Sequence, residues 1–484
     1  MLTQGIYAQN LTIITGTNQV NVASNGDMAG ISATTANAGS PAPGFALDVA
    51  ALGGMYAGKI TMIGTEAGLG VRNAGNIGAS AGALTLSADG QLTSTGSMSA
   101  STDVLVNTNA LNNQGTITAQ NNLHMQSATQ VKNSGVMAAT RELTLATTGA
   151  LDNTQGVVSA QRLEVRAASL INAQGRIEQT GAQNLTITAQ SLSNAASGIV
   201  GNMPQSASTS GGTAGGTGTG GTASTNTGGG LTSTTLSNTA PPSTATSGGS
   251  VAVVPVAPVI LADGMITIGG HINNDTGKLI ANGNVDLTVG SALTHAGLIN
   301  AGDINVRNIQ VTGSTLKNSA GNIDAQQAHI NTTQLTNDSG KIAADVLAIQ
   351  AHDISNISGK LLQLGTSDLT INLAGDLNNH LGTIGTNANN FNLGAVNLTN
   401  TQGTISHVGV DALNLTATNF IGTQGEVITN GALNFNAQTA TLDSGITSAN
   451  QITINTQTLS NQAGRITQTG AGATQITASP RSLG

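Results

Sequence analysis

The sequence predicts an all-β fold, a right-handed parallel β-helix with coils of about twenty residues, interrupted by one Gly/Ser/Thr-rich loop. Three observations predict it: glycines recur at nearly constant spacing, aliphatic residues alternate at spacing two between them, and the composition is that of short stacked units. Of 484 residues, 7% are charged, 1% are aromatic and 64 are Gly. An average chain carries roughly 25% charged residues and about 7% Gly. Two Tyr, four Phe and no Trp cannot fill several ordinary cores. A hydrophobic content of 38% is nevertheless too high for a chain unfolded by its own charge.

The repeating unit is an aliphatic residue, Asn two positions later, Gly shortly after, and an aliphatic residue two beyond the Gly. Leu111-x-Asn113-x-Gly115-x-Ile117-x-Ala119, followed by Leu123-x-Met125, is one copy. The aligned glycines form a first series of Gly75, Gly96, Gly115, Gly135, Gly156, Gly175 and Gly198. A second series holds Gly277, Gly297, Gly321, Gly340, Gly359, Gly382, Gly403, Gly425, Gly445 and Gly464. Sixteen of these seventeen have an aliphatic residue or Met at +2; Gly445, with Thr447 there, is the exception.

Spacing two means strands with one buried face, and Asn-x-Gly or Asn-x-x-Gly marks turns through residues that tolerate positive φ. No unit of this size buries a face alone, so each strand must stack on its copy in the next coil. In-register stacking explains the composition: equivalent positions lie about 4.8 Å apart, so a charge repeated in every coil would face itself. The recurring Asn admits two readings, a hydrogen-bonded ladder from coil to coil or a plain turn-former.

Residues 202–250 contain no charge and are rich in Gly, Ser, Thr and Ala. They predict a flexible linker or extruded loop, here bounded at 201–259, between a first block of coils at 70–200 and a second at 260–484. Gly198-x-Val200 and Ile266-x-Ile268 read as the two halves of one interrupted coil, which favours a continuous solenoid over two hinged ones.

Chemistry is hard to place on this chain. Fourteen Lys plus Arg against 22 Asp plus Glu, with few aromatics, argue against nucleic acid as a partner. Zero Cys excludes disulfides, Cys-ligated zinc and thiol nucleophiles. The longest apolar run, Val251 to Ala262, is too short to span a membrane and is broken by Pro255 and Pro258. The start, Met1-Leu2-Thr3-Gln4, has no basic segment, so no signal peptide is visible. Asp286 and Asp368 share one offset from the aligned Gly but fall four coils apart, about 19 Å, too far for paired-carboxylate catalysis. The seven His share no offset and read as scattered surface residues. The expectation is a non-enzyme without metal or cofactor. Arg176, Lys278, Lys341, Lys360 and Arg465 directly follow aligned glycines, opposite inward Ile177, Leu279, Ile342, Leu361 and Ile466. They read as solvated surface charge, or as a basic stripe for an anionic glycan.

The stretch around residues 47–75 is the most distinctive. It runs Gly53-Gly54-Met55-Tyr56, then Gly64-Thr65-Glu66, then Gly70-Val71-Arg72-Asn73. It resembles the junction that follows the secretion domain in filamentous haemagglutinin-like exoproteins of bacterial two-partner secretion, and the repeats from Gly75 onward resemble that family's haemagglutinin repeats. The resemblance implies that residues 1–69 are the C-terminal remnant of a secretion domain, most of which, with its Asn-Pro-Asn motifs, is absent here. It implies a secreted or cell-surface β-helical stalk exported by an outer-membrane two-partner secretion transporter. Such a stalk acts in cell adhesion, haemagglutination or biofilm contact, with host-cell or bacterial surface glycans or proteins as partners. The alternative within the same resemblance is a passive spacer in a contact-dependent growth inhibition protein that presents a toxin.

Overall fold

The computed structural model describes residues 2–24, 28–33, 45–66, 68–181, 185–202, 264–274, 278–280, 285–290, 297–300 and 303–478. Among them every regular element is a β-strand. All but one antiparallel pair, Asn18–Val22 with Met28–Ala33, join a single sheet of parallel ladders, a β-solenoid.

Each coil has three sides. After Gly115 the first is the strand Thr116–Ala119, and the long strand Asn122–Asn133 supplies the other two. In the next coil those two sides are separate strands, Glu142–Thr147 and Ala150–Asp152. Equivalent residues stack in register. On the first side Ile117 lies between Met98 and Met137. Leu123 lies between Val104 and Leu143 on the second, and Val131 between Leu111 and Leu151 on the third. All three are buried, and burial alternates along most of the strands whose side chains are described, so aliphatic columns from three directions close one core. Each such side chain contributes roughly 1.5–3 kcal/mol. Strength therefore accumulates coil by coil rather than in one centre.

The corner glycines serve a purpose other than the one their turn setting suggests. Among the described glycines only Gly16, Gly68 and Gly472 have positive φ. At the corners a Cβ is excluded because it would strike the preceding coil. Built on Gly115 it would lie 2.0 Å from the Gly96 carbonyl oxygen, and on Gly175, 2.1 Å from that of Asn153. Where the corner is Asn-x-x-Gly, the positive φ falls on the residue just before the glycine: Gln155 at 61°, Ser339 at 56°, Leu381 at 56°.

The Asn residues form a ladder. Asn113 Nδ2 donates to Asn133 Oδ1 at 2.8 Å, Asn133 to Asn153 at 2.7 Å, Asn153 to Asn172 at 2.7 Å and Asn172 to Asn194 at 2.8 Å. A second run links Asn318, Asn337, Asn356, Asn379 and Asn400 at 2.7 Å per step. These side chains are fully buried. The amide carries a carbonyl that accepts from the coil on one side and an NH2 group that donates to the coil on the other. The ladder stops where Gly422 and Leu442 take over the position, and there Leu442 is buried as an apolar replacement.

Most of the stretch read as a linker, from residue 203 through 259, lies outside the described residues. On either side of it Leu185–Ser193 pairs in parallel with Gly264–Asn274, matching Ile187 to Ile266, so no rung is lost across the insertion. Strands on both sides of residue 69 likewise share one sheet, since Gly54–Gly64 pairs with Leu84–Ser94. One glycine departs from the spacing. Lys278 pairs with Asp303, and Asp303 with Asn322, so the first side of this coil begins at Asp303. Gly297 instead opens the strand Gly297–Asn300, whose register partner Thr315 lies on the third side. This coil is longer than the one that follows and carries an extra Gly-x-Ile, which imitates the corner pattern in sequence.

Candidate functional site

The motif residues around 47–75 build the seam between the first strand, Gly5–Thr15, and the coils that follow. Met55 is buried beside Ile6 and Ile77. A Cβ on Gly53 would lie 2.1 Å from the Leu2 carbonyl oxygen, and one on Gly70 would lie 2.1 Å from that of Gln91. Gly64 lies against Ala88, and Val71 packs between Leu47 and Leu92. Thr65 bonds Asn18, Glu66 accepts from Thr17 at 3.3 Å, and Asn73 donates to Ser94 and to the Ser97 carbonyl. Arg72 makes a two-pronged pair with Asp48 at 2.7 and 2.8 Å and sits over the Phe45 ring at 5.0 Å. The guanidinium holds the Asp48 carboxyl below its usual range. Every one of these roles is packing, capping or pairing.

Sequence reading picked Tyr56 but missed its partner. Tyr7 stacks on Tyr56 with ring centroids 5.2 Å apart and planes 17° from parallel. Each ring folds back over a glycine two residues earlier, Gly5 or Gly54, where a Cβ would collide with it. The signal was present: Gly5-Ile6-Tyr7-Ala8 and Gly54-Met55-Tyr56-Ala57 share one pattern and contain the chain's only two tyrosines. They register residue for residue.

Arg176, Lys341, Lys360 and Arg465 lie in one outward column, but it is not continuous. Lys341 and Lys360 are adjacent, with Asn322 before them and Thr383 after. Lys341 pairs with Asp324 at 2.6 Å, and Arg176 pairs with Glu178. Arg465 donates to Thr467 at 3.0 Å.

Titratable groups do not converge. Among the described residues no group of three or more His, Asp or Glu could hold a metal ion, and no helix is long and apolar enough to cross a membrane. Asp353 accepts from the Asp376 backbone N–H at 2.7 Å and contacts His352 at 3.0 Å, and these hold its carboxyl low. One histidine corrects the surface reading. His407 is 1% exposed. Its Nε2 donates to the carbonyls of Ala388 and Asn389 at 2.9 and 3.1 Å, and its Nδ1 accepts from the Thr429 hydroxyl at 2.8 Å. Burial lowers its pKa, against the pull of those carbonyls. The neutral ring satisfies both nitrogens and leaves none open for substrate or metal.

No family model matches the chain, and no solved structure does. Curated relatives match over stretches. The chain is 47% identical over 119 residues to Toxin CdiA of Yersinia pestis, covering 24% of this chain and 4% of that protein. It is 46% identical over 90 residues to tRNA nuclease CdiA-2 of Burkholderia pseudomallei, covering 19% and 3%. Against 16S rRNA endonuclease CdiA of Enterobacter cloacae it is 28% identical over 240 residues, covering 40% and 7%. The matched part is thus less than a tenth of the length of each, and the homologues of this β-solenoid are CdiA proteins.

Proposed function

We propose that this chain is a non-catalytic stalk segment, a β-helical spacer within a contact-dependent growth inhibition protein. Such a protein is exported by two-partner secretion through an outer-membrane transporter and displayed at the cell surface. The observation that carries the reading is the aliphatic core repeated from coil to coil with its buried amide ladder, in a chain that matches CdiA proteins over short parts of their length. A stack of this kind resists bending and adds length by whole coils, which is what a spacer requires. The toxin activities in the relatives' names belong to those proteins, and nothing in the spacer reading requires them of these coils.

The test is to remove whole coils from the natural polypeptide in its bacterium. Deleting residues 97–135 joins Gly96 to Val136, a residue in register with Ser97 through Thr116. A spacer retains surface display and inhibition of neighbouring cells after this shortening. Loss of cell attachment with display intact would favour the adhesive reading, and a displayed, unshortened protein that inhibits no neighbour would overturn the delivery role.

A further inference from the structure

The seam at the first strand carries a feature that the spacer reading does not use. Tyr7 and Tyr56 are the only phenols in the chain, which has neither Trp nor Cys. Their strands match residue for residue, so like atoms of the two rings face one another at about the 4.8 Å strand spacing. The ring centroids are 5.2 Å apart and the planes 17° from parallel, within the range of stacked pairs. A glycine fixes each ring. A Cβ on Gly5 would lie 2.9 Å from Tyr7 Cε2, and one on Gly54 would lie 2.7 Å from Tyr56 Cε2. Both rings therefore lean the same way, with a carbon next to the hydroxyl-bearing one drawn over the glycine.

Three properties set this stack apart from the packed aromatics of the core. It faces solvent: Tyr7 is 78% exposed and Tyr56 37%. Neither hydroxyl has a hydrogen-bond partner among the described residues. The oxidisable neighbours are shielded, since Met55 and Met62, on the same strand as Tyr56, are buried. An oxidant arriving from solvent meets the two phenols first. The strand that Tyr7 belongs to is also the one with most to gain from a tie, because no residue of Gly5–Thr15 is fully buried.

We propose that Tyr7 and Tyr56 are an oxidative cross-linking site, joined as dityrosine by a haem peroxidase and hydrogen peroxide. The peroxidase removes one electron and the hydroxyl proton from each phenol. The two phenoxyl radicals then form one C–C bond between facing Cε carbons. The hydrogen on each of those carbons moves as a proton to its own phenol oxygen, which restores both aromatic rings. In sum the pair loses two hydrogens, as two electrons and two protons, and one hydrogen peroxide takes them up to become two waters. Register makes the coupling intrachain, because the second ring is held beside the first at an effective concentration far above that of another copy. The bond closes a loop from Tyr7 to Tyr56 and ties the first strand to the next coil, as a disulfide does in chains that have Cys. The inference goes beyond the spacer role and holds whether or not a toxin is delivered.

The test treats the full folded chain, in dilute solution, with a haem peroxidase and hydrogen peroxide. The expected product is a monomer lighter by two hydrogens, with the blue fluorescence of dityrosine and a linked peptide containing both Tyr7 and Tyr56. Its yield does not change on dilution. Tyr7→Phe abolishes it. Gly5→Ala is the sharper variant, because the three atoms nearest its added Cβ all belong to the Tyr7 ring. It keeps both phenols, displaces one, and lowers the intrachain yield by roughly tenfold while the circular dichroism stays unchanged. Covalent dimers as the main product, no linked peptide under conditions that couple free tyrosine, or Gly5→Ala linking as readily as the natural chain would each overturn the proposal. None of these readouts involves display or inhibition of neighbours, so the outcome of the spacer experiment is read separately.

Discussion

The early coils and the later ones turn their corners differently. Between residues 73 and 135 the corner is Asn-x-Gly, or Ser94-x-Gly96 in one coil, and its amides reach the previous coil. The N–H groups of Gln114 and Gly115 both donate to the Ser94 carbonyl. From Asn153 onward the corner is longer, by one residue in most coils and by two between Asn194 and Gly198, and closes on itself. Gly156 N–H donates to the Asn153 carbonyl at 3.0 Å, and Gln155 takes the positive φ. The corner after the first side differs too. Early coils place Ala79, Ala100, Ala119 and Ala139 there, whereas longer later coils place Gln179, Gln363 or His407. In an early coil Leu84 N–H finds the Asp103 carbonyl of the next coil at 2.9 Å. Where the next coil is longer, Leu347 N–H is met by the Gln363 side chain at 3.2 Å. A lengthened corner withdraws a backbone acceptor, and a polar side chain replaces it. What persists across both regions is the missing Cβ of the glycine and, outside the coils of Ser94, Gly422 and Leu442, the Asn column. Corner length varies more freely than either.

The largest effect should come from the point where the two corner types meet. Asn153 accepts from Asn133 and donates to Asn172. Asn153→Leu keeps the volume but strands a buried donor above and a buried acceptor below, which destabilises by about 2–5 kcal/mol. Urea unfolding followed by circular dichroism measures it. The natural Leu442 meets only half of this penalty: its neighbour in the preceding coil, Gly422, has no side-chain donor to strand, whereas Asn461 Oδ1 in the next coil is left buried without a partner. If Asn153→Leu proves as stable as the natural chain, the ladder is ornament and the comparison between regions loses its fixed element.

A smaller effect tests the polar plug of the later coils. Folding lowers the His407 pKa, so the native state binds its proton less readily than the unfolded chain. This contribution to stability is complete above the ordinary histidine value of 6.5. It is lost as the pH falls below that value toward the folded pKa. His407→Thr installs the residue found at the matching position in both adjacent coils, Thr386 and Thr429. The melting temperature of the natural chain should fall between pH 7 and pH 5 more than that of the variant. Parallel curves for the two proteins would mean that the plug is already charged, or is not sealed from water.

How much of this was legible in the sequence depends on the distance over which each feature is decided. The fold was legible because Ile117, Leu123 and Val131 repeat their pattern locally, and a period is visible without any partner. The reason for the corner glycines was not. Gly115 is required by a carbonyl oxygen nineteen residues back in the chain, and spacing does not distinguish close approach from left-handed backbone. The ladder and the turn reading of Asn predicted the same letters, so only the register separated them. His407 looked like a surface residue because its burial arises from Ala388, Asn389 and Thr429, each about twenty residues away. Gly297 misled because Gly-x-Ile occurs on the third side as readily as at a corner.

The smallest effect concerns the residue that makes the longer corner possible. Leu381 sits before Gly382 with φ at 56°, and its side chain is 52% exposed. A left-handed backbone at a residue with a Cβ is unfavourable by roughly 1–2 kcal/mol. Half-exposed, this side chain recovers only part of that through packing. Leu381→Gly removes the strain, and the greater freedom that glycine gives the unfolded chain offsets about 0.4–1 kcal/mol of the gain. The net expectation is a stabilisation of about 0.5 kcal/mol, read as a small rise in the urea midpoint. The same substitution at Gln114, in the shorter corner where no positive φ occurs, lacks the first term and keeps the second, so it destabilises slightly. Opposite signs at the two positions would locate the difference between early and later corners in one backbone angle; equal signs would place it in the hydrogen bonds around them.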